Sequence, residues 1–174
     1  MLINVTKIKS TAEKLEALSV METIDAAGYG YGELVLTAPV EFRGTIEHAM
    51  PYFHLNGEMT AELELVCARC LTSFRQSFTV SVDEAFTNRE EARSEDDEVS
   101  FFTGDELDIT PALLKALFLE IPMHPLCQSD CRGLCPGCGT DLNKSDCVCK
   151  HDDVDWRLEK LKTLFTAMND DEEV

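Results

Sequence analysis

Residues 53–86 read FHLNGEMTAELELVCARCLTSFRQSFTVSVDEAF, and the parity of their apolar positions decides the fold. Met59, Ala61, Leu63 and Leu65 alternate with Glu58, Thr60, Glu62 and Glu64. That is period two, the signature of a strand with one face buried and one in water. Phe74, Phe78, Val80, Val82 and Phe86 repeat it. Asn56-Gly57 has the composition of a hairpin turn, yet Phe53, Leu55, Met59 and Leu63 keep one parity straight through it. A two-residue turn would set His54 on the face of Met59, so the pattern favours one long strand with a glycine inside it. Cys67 and Cys70 fall between the two alternating runs, at the tip of the implied hairpin.

Upstream, Leu34, Leu36, Ala38, Val40, Phe42 and Ile46 also alternate, and Pro39 marks an edge strand or a break there. LINV (2–5) and KLEALSV (14–20) read as strands or a short helix. Downstream, TNREEARSEDDEVSFFTGDE (87–106) is acidic and mostly polar and reads as a mobile loop. In DITPALLKALFLEIP (108–122), Thr110 fits an N-cap and Pro111 the first helical position. Leu114, Leu117, Phe118 and Ile121 lie at i, i+3, i+4, i+7, one apolar stripe. DWRLEKLKTLFTAM (155–168) repeats that spacing with Leu161, Leu164, Phe165 and Met168, and Asp155 as its cap. The organisation expected is one domain: a β-rich body over 1–86, the acidic loop 87–106, a helix, cysteine-rich segment and C-terminal helix over 107–169, and an acidic tail 170–174.

The chain has 174 residues, enough for a real core, and a formal charge of −18 from 33 acidic and 15 basic residues. Such a surface repels phosphate backbones at long range. Binding through a local basic patch, or binding a basic protein, stays open. The start, MLINVTKIKSTAEKLEALSV, lacks a signal-peptide layout, and no apolar run approaches the roughly 20 residues of a membrane helix. The expectation is a soluble cytoplasmic protein with no membrane partner, where thiols stay reduced and clustered cysteines are more often metal ligands than bridges.

There are eight cysteines, spaced Cys67-x2-Cys70, Cys127-x3-Cys131-x3-Cys135-x2-Cys138 and Cys147-x-Cys149. Pairs at C-x2-C spacing with a partner pair downstream are a strong zinc signal, because that turn brings two sulfurs onto one metal. In CPGCG, Gly139 tolerates the positive φ such a turn often needs. The partition preferred is Cys67, Cys70, Cys127 and Cys131 for one structural Zn²⁺, and Cys135, Cys138, Cys147 and Cys149 for a second. Other partitions fit the spacing too, and His124 or His151 can stand in for one ligand. Two zinc ions on eight thiolates would take the charge to about −22. Disulfides, an iron–sulfur cluster and a thioredoxin-like redox pair fit less well. The compartment argues against the first, the run C-x2-C-x2-C-x3-C-P is absent, and CARC leads into a strand rather than a helix. Two complete four-thiolate sets leave no open coordination position, and no catalytic motif or small-molecule site is evident, so no enzyme is expected.

VCARCL together with LLKALFLEIPMHPLCQSDCRGLCPGCGTDLN resembles the YceD family, the large ribosomal RNA subunit accumulation proteins. The resemblance implies an α+β fold: an antiparallel β-barrel-like body with an appended C-terminal zinc-binding segment and two short helices. It also implies a role in accumulation or processing of large-subunit ribosomal RNA. The expected partners are that RNA or a precursor particle, or a basic ribosomal protein. Arg69, Arg75, Arg132, Lys144, Lys150 and Arg157 lie in or near the cysteine segments and are the candidate partner-facing cations. The competing reading of these cations is ordinary solvated charge. Two other functions stay in view. One is a redox-switched, holdase-like zinc protein; the other is a zinc-stabilised protein–protein adaptor.

Overall fold

The computed structural model describes residues 1–9, 15–92 and 99–149. Lys150, His151, the helix expected over 155–168 with Trp156 and Arg157, and the tail 170–174 lie outside the described residues. The chain divides into two compact units, Met1–Ser129 and Asp130–Val174. The elements of the first are β1 (Leu2–Asn4), α1 (Thr6–Lys9), β2 (Leu15–Glu22), β3 (Val35–Leu36), β4 (Val40–Ala49), β5 (Tyr52–Val66), β6 (Ser73–Thr87), β7 (Val99–Phe101), β8 (Glu106–Asp108) and α2 (Thr110–Glu120), with short 3₁₀ turns at Ala26–Tyr29 and Glu90–Ala92.

β5 and β6 form the hairpin that the sequence implies. Their antiparallel register runs from Tyr52↔Thr87 to Val66↔Ser73. Phe53, Leu55, Met59 and Leu63 are all buried on one face of β5, and Gly57 lies inside the strand. β4 pairs with β5 on its other side and β2 with β4, so the sheet order is β2-β4-β5-β6-β7. The alternating 34–46 run is broken at Pro39. Its first half, β3, pairs with the far end of β5, and its second half is β4. The sheet is a curled half-barrel and is mixed, not antiparallel throughout, because β7 runs parallel to β6.

The curl has a local cause. Gly44 of β4 stands opposite Gly57 of β5. A Cβ on Gly57 would lie 2.6 Å from the Gly44 Cα and run into the Arg43 carbonyl. One on Gly44 would lie 2.7 Å from the tip of Phe42 and run into the Asn56 carbonyl. Two backbones approach this closely only where neither has a side chain, and strands bend at such points. Phe42, itself fully buried, covers the gap.

A separate two-stranded sheet joins β1 to β8, and α2 packs on β6. The expected helix is present, but its buried stripe is Thr110, Leu113, Leu114 and Leu117, one step from the stripe read in the sequence. Phe118 is half-exposed, its ring 5.7 Å from that of Tyr31. Thr110 is inside the helix rather than capping it. Its amide donates to Asp108 Oδ1 at 3.0 Å, and its hydroxyl accepts from the Met1 ammonium at 2.5 Å. The segment read as a loop over 87–106 contains β7 and the buried Phe102, whose ring meets Phe53 edge-on. No helix among the described residues is long and apolar enough to cross a membrane.

The described part of the second unit, residues 130–149, is loop-rich. It includes a tight turn in which Leu134 bridges Asp141, closed by Leu142 N–H to the Gly133 carbonyl at 2.9 Å.

Candidate metal centre

Among the described residues, two groups of four cysteines offer sulfurs that all lie within 4.8 Å of one another. They are Cys67, Cys70, Cys127 and Cys131, and Cys135, Cys138, Cys147 and Cys149. These are the two sets drawn from the sequence. A tetrahedral zinc–thiolate site, with bonds of about 2.3 Å, spaces its sulfurs roughly 3.8 Å apart. Cys70 and Cys127 are 3.6 Å apart, Cys138 and Cys147 3.4 Å, and Cys135 and Cys147 3.3 Å.

The backbone explains why sulfurs gather here. β5 and β6 end in the turn Cys67–Thr72, where the Leu71 amide donates to the Cys67 carbonyl at 2.9 Å and the Cys67 amide to the Thr72 carbonyl at 3.0 Å. In the second unit the Gly139 amide donates to the Cys135 carbonyl at 2.8 Å, and the Cys135 amide to the Thr140 carbonyl at 2.8 Å. The two turns are the same structure. In each, the residue after the second cysteine has positive φ, 58° at Leu71 and 73° at Gly139.

The electrostatics repeat as well. The Gly137 and Cys138 amides both point at Cys135 Sγ at 3.4 Å. At the equivalent Cys67, burial pushes the thiol pKa up, but amides from Cys127, Cys70 and Arg69 outweigh it and bring it down to about 6. The Thr140 hydroxyl, 3.1 Å from Cys138 Sγ, heads the hydrogen bonds that lower Cys138 to about 6. Thr72 does the same for Cys70, whose thiol is also lowered. Cys149, in contrast, is pushed up to about 12 by Cys147 and Cys138. Amides and hydroxyls thus draw some thiols toward thiolate, while sulfur beside sulfur holds others back. A soft divalent cation resolves that conflict by letting all four ionise, so both sets fit a zinc ion.

Thr72, Thr140 and Asn143 belong to this environment and were not singled out in the sequence. For the threonines the signal was present: CARCLT and CPGCGT share C-x-x-C-x-T. Asn143 donates to the buried Cys131 Sγ.

Four of the six candidate cations are described. Arg69 is exposed on the first turn, and Arg75 on β6 stands opposite Glu64. Arg132 pairs with Asp146 at 3.1 Å and Lys144 with Asp141 at 3.1 Å. Arg75, Arg132 and Lys144 thus stand beside a carboxylate.

Comparison with known proteins finds relatives of this chain. The family profile described as large ribosomal RNA subunit accumulation protein YceD matches residues 55–165. An uncharacterized protein of Mycobacterium tuberculosis is 33% identical over 119 residues, 67% of this chain and 57% of the relative. The chain therefore spans little more than half the length of that relative. The uncharacterized protein YlbN of Bacillus subtilis is 31% identical over 129 residues, 74% of this chain and 75% of the relative. A maize protein named large ribosomal RNA subunit accumulation protein YCED homolog 1, chloroplastic, is 39% identical over 72 residues, 40% of this chain and 24% of the relative. No solved structure matches.

Proposed function

The chain belongs to the YceD family of large ribosomal RNA subunit accumulation proteins, and from that premise we propose that it is a non-enzymatic ribosome-assembly factor. It supports accumulation or processing of large-subunit ribosomal RNA in the cytoplasm, through a surface stiffened by two structural zinc ions. Cys67, Cys70, Cys127 and Cys131 hold one ion, and Cys135, Cys138, Cys147 and Cys149 hold the other. The observation that carries this reading is the repeated turn. The same amide and threonine donors stand behind the cysteines of Cys67–Cys70 and Cys135–Cys138, which is how a structural metal site is built rather than one with an open position for chemistry. The function itself comes from the family, and zinc's part in it is to fix the loops that meet the partner.

The partner is a large-subunit precursor particle, contacted through its RNA or through a basic ribosomal protein. The test is sedimentation. The tagged full chain, run at low salt, should travel with large-subunit precursors, and its depletion should lower large-subunit ribosomal RNA relative to small-subunit RNA. Protein found only at the top of the gradient, with an unchanged RNA ratio, overturns the reading.

One observation favours a second reading, a redox-switched zinc protein. Cys138 and Cys149 are exposed, whereas Cys67, Cys70 and Cys131 are buried. Peroxide reaches the exposed set first. If zinc stays bound under peroxide and no apolar surface appears, this second reading is excluded.

A further inference from the structure

The two cysteine turns differ at one position in a way their shared backbone does not require. Gly139 takes the left-handed conformation freely, because it has no Cβ. Leu71 holds the same conformation at φ 58°, where a Cβ crowds the neighbouring carbonyl and a glycine would be the default. Burial does not offset that cost among the described residues, since Leu71 is 65% exposed. Nor is it alone. Val66, at the end of β5, is 53% exposed. The Ala68 amide donates to the Pro125 carbonyl at 2.8 Å, which brings the segment carrying Met123, 93% exposed, beside the turn. A strained, exposed leucine among other exposed aliphatic side chains is what a contact residue looks like before its partner arrives.

We propose that the Cys67–Thr72 turn is a docking surface for a basic polypeptide, with Leu71 as its apolar anchor. The proposal rests on the assembly-factor reading and names the class of partner. Charge selects that class. The chain carries −18, and Glu62 and Glu64 line the outward face of β5 leading to the turn. This field attracts Lys- and Arg-rich protein and repels phosphate. Nucleic-acid surfaces are built on clustered cations, whereas this one offers aliphatic side chains with Arg69 on the turn and Arg75 beside it, the latter facing Glu64 across the hairpin. An aliphatic anchor gains most by desolvation against apolar side chains of another protein.

The test uses the full-length zinc-loaded chain and two probes: the RNA-free protein fraction of purified large ribosomal subunits, and the protein-free RNA from the same subunits. Wild type should retain a basic protein from the first. Leu71→Gly and Leu71→Asp should weaken that retention by about tenfold or more. Leu71→Gly should keep two zinc ions and raise Tm by about 2 °C, because strain is relieved and nothing buried is lost. Unchanged retention overturns the proposal. A lowered Tm for Leu71→Gly also overturns it, by showing that the leucine already packs within the chain. Retention of RNA that is lost in Leu71→Gly assigns the surface to nucleic acid instead. Wild type that retains neither fraction overturns it as well. Failure of the parent reading is separate: there, wild type never leaves the top of the gradient. If wild type sediments with precursors and Leu71→Gly does so equally, only the anchor is lost.

Discussion

Asn143 donates from Nδ2 to Cys131 Sγ at 3.4 Å, and its Oδ1 accepts the Arg132 amide at 2.8 Å. One side chain therefore fixes both a buried sulfur and the backbone just after it. Asp141 Oδ1 locks the amide in turn, accepting from Asn143 Nδ2 at 2.8 Å and from its backbone N–H at 3.0 Å. Groups that orient a ligand from behind are typically worth tenfold to a hundredfold in metal affinity. Asn143→Ala should weaken one of two bound zinc ions by about that factor, read by chelator competition. Asn143→Asp should weaken it further, since a carboxylate cannot donate to sulfur and places a charge beside a thiolate. Equal affinities in all three proteins would show that the N–H···S bond does not matter.

Metal content should be two zinc ions per chain, lost in two phases. Cys138 and Cys149 are exposed and Cys147 half-buried, whereas Cys67, Cys70 and Cys131 are buried. A chelator reaches the exposed set first. The fast phase should vanish in Cys138→Ser and Cys149→Ser, each holding one ion by native mass spectrometry. Cys70→Ser should abolish the slow phase instead. A single phase with all-or-none loss would contradict two separate sites.

How far the sequence could be read depended on pattern length. Fifteen-residue strands declare themselves: the parity of Phe53, Leu55, Met59 and Leu63 outweighed the turn composition of Asn56-Gly57, because a turn there would have placed a polar residue in the core. The cysteine pairs were legible as metal turns from their C-x2-C spacing, but that spacing fits several partitions, and it is the fold that gathers the sulfurs into these two groups of four. β7 was not legible. A three-residue strand that borrows its order from β6 has no period of its own, and its acidic surroundings masked Phe102. The stripe of α2 was ambiguous because LLKALFLEI carries two overlapping apolar stripes, and only packing on β6 selects Leu113 over Phe118. The role of Thr110 depended on Met1, far away in sequence.

Asp108 gives a pH dependence of definite sign. Its carboxylate is partly buried, which pushes its pKa up. Hydrogen bonds from the Thr110 hydroxyl and amide and from Tyr29, with the Met1 ammonium 3.6 Å away, outweigh this and hold it below the usual 3.8. A depressed folded pKa means stability that is fully present above the unfolded value and lost as pH falls through the lower folded one. Asp108→Asn should therefore cost about 1 kcal/mol at pH 7, after discounting for solvent screening at a partly exposed group. The difference between the two proteins should shrink toward zero as pH drops below the ordinary Asp range. Denaturant melts of both at pH 7 and at acid pH check this, and a difference that persists in acid would mean the carboxylate's charge is not its source.

The close pair Gly44 and Gly57 makes the sharpest structural prediction. Gly57 is exposed to no strain in φ; its constraint is the neighbouring strand, with the Gly44 Cα 2.6 Å from where a Cβ would sit. The obstacle is backbone, which cannot swing aside as a side chain can. Gly57→Ala should destabilise by about 1–3 kcal/mol, the range for overpacking. Gly44→Ala should do the same, since its Cβ meets Phe42 and the facing backbone. The double variant should fall short of the sum, because the first methyl already forces β4 and β5 apart. Thermal melts of the three proteins give the answer. If Gly57→Ala matches wild type, the sheet does not need the close crossing, and the curl at this point has another cause.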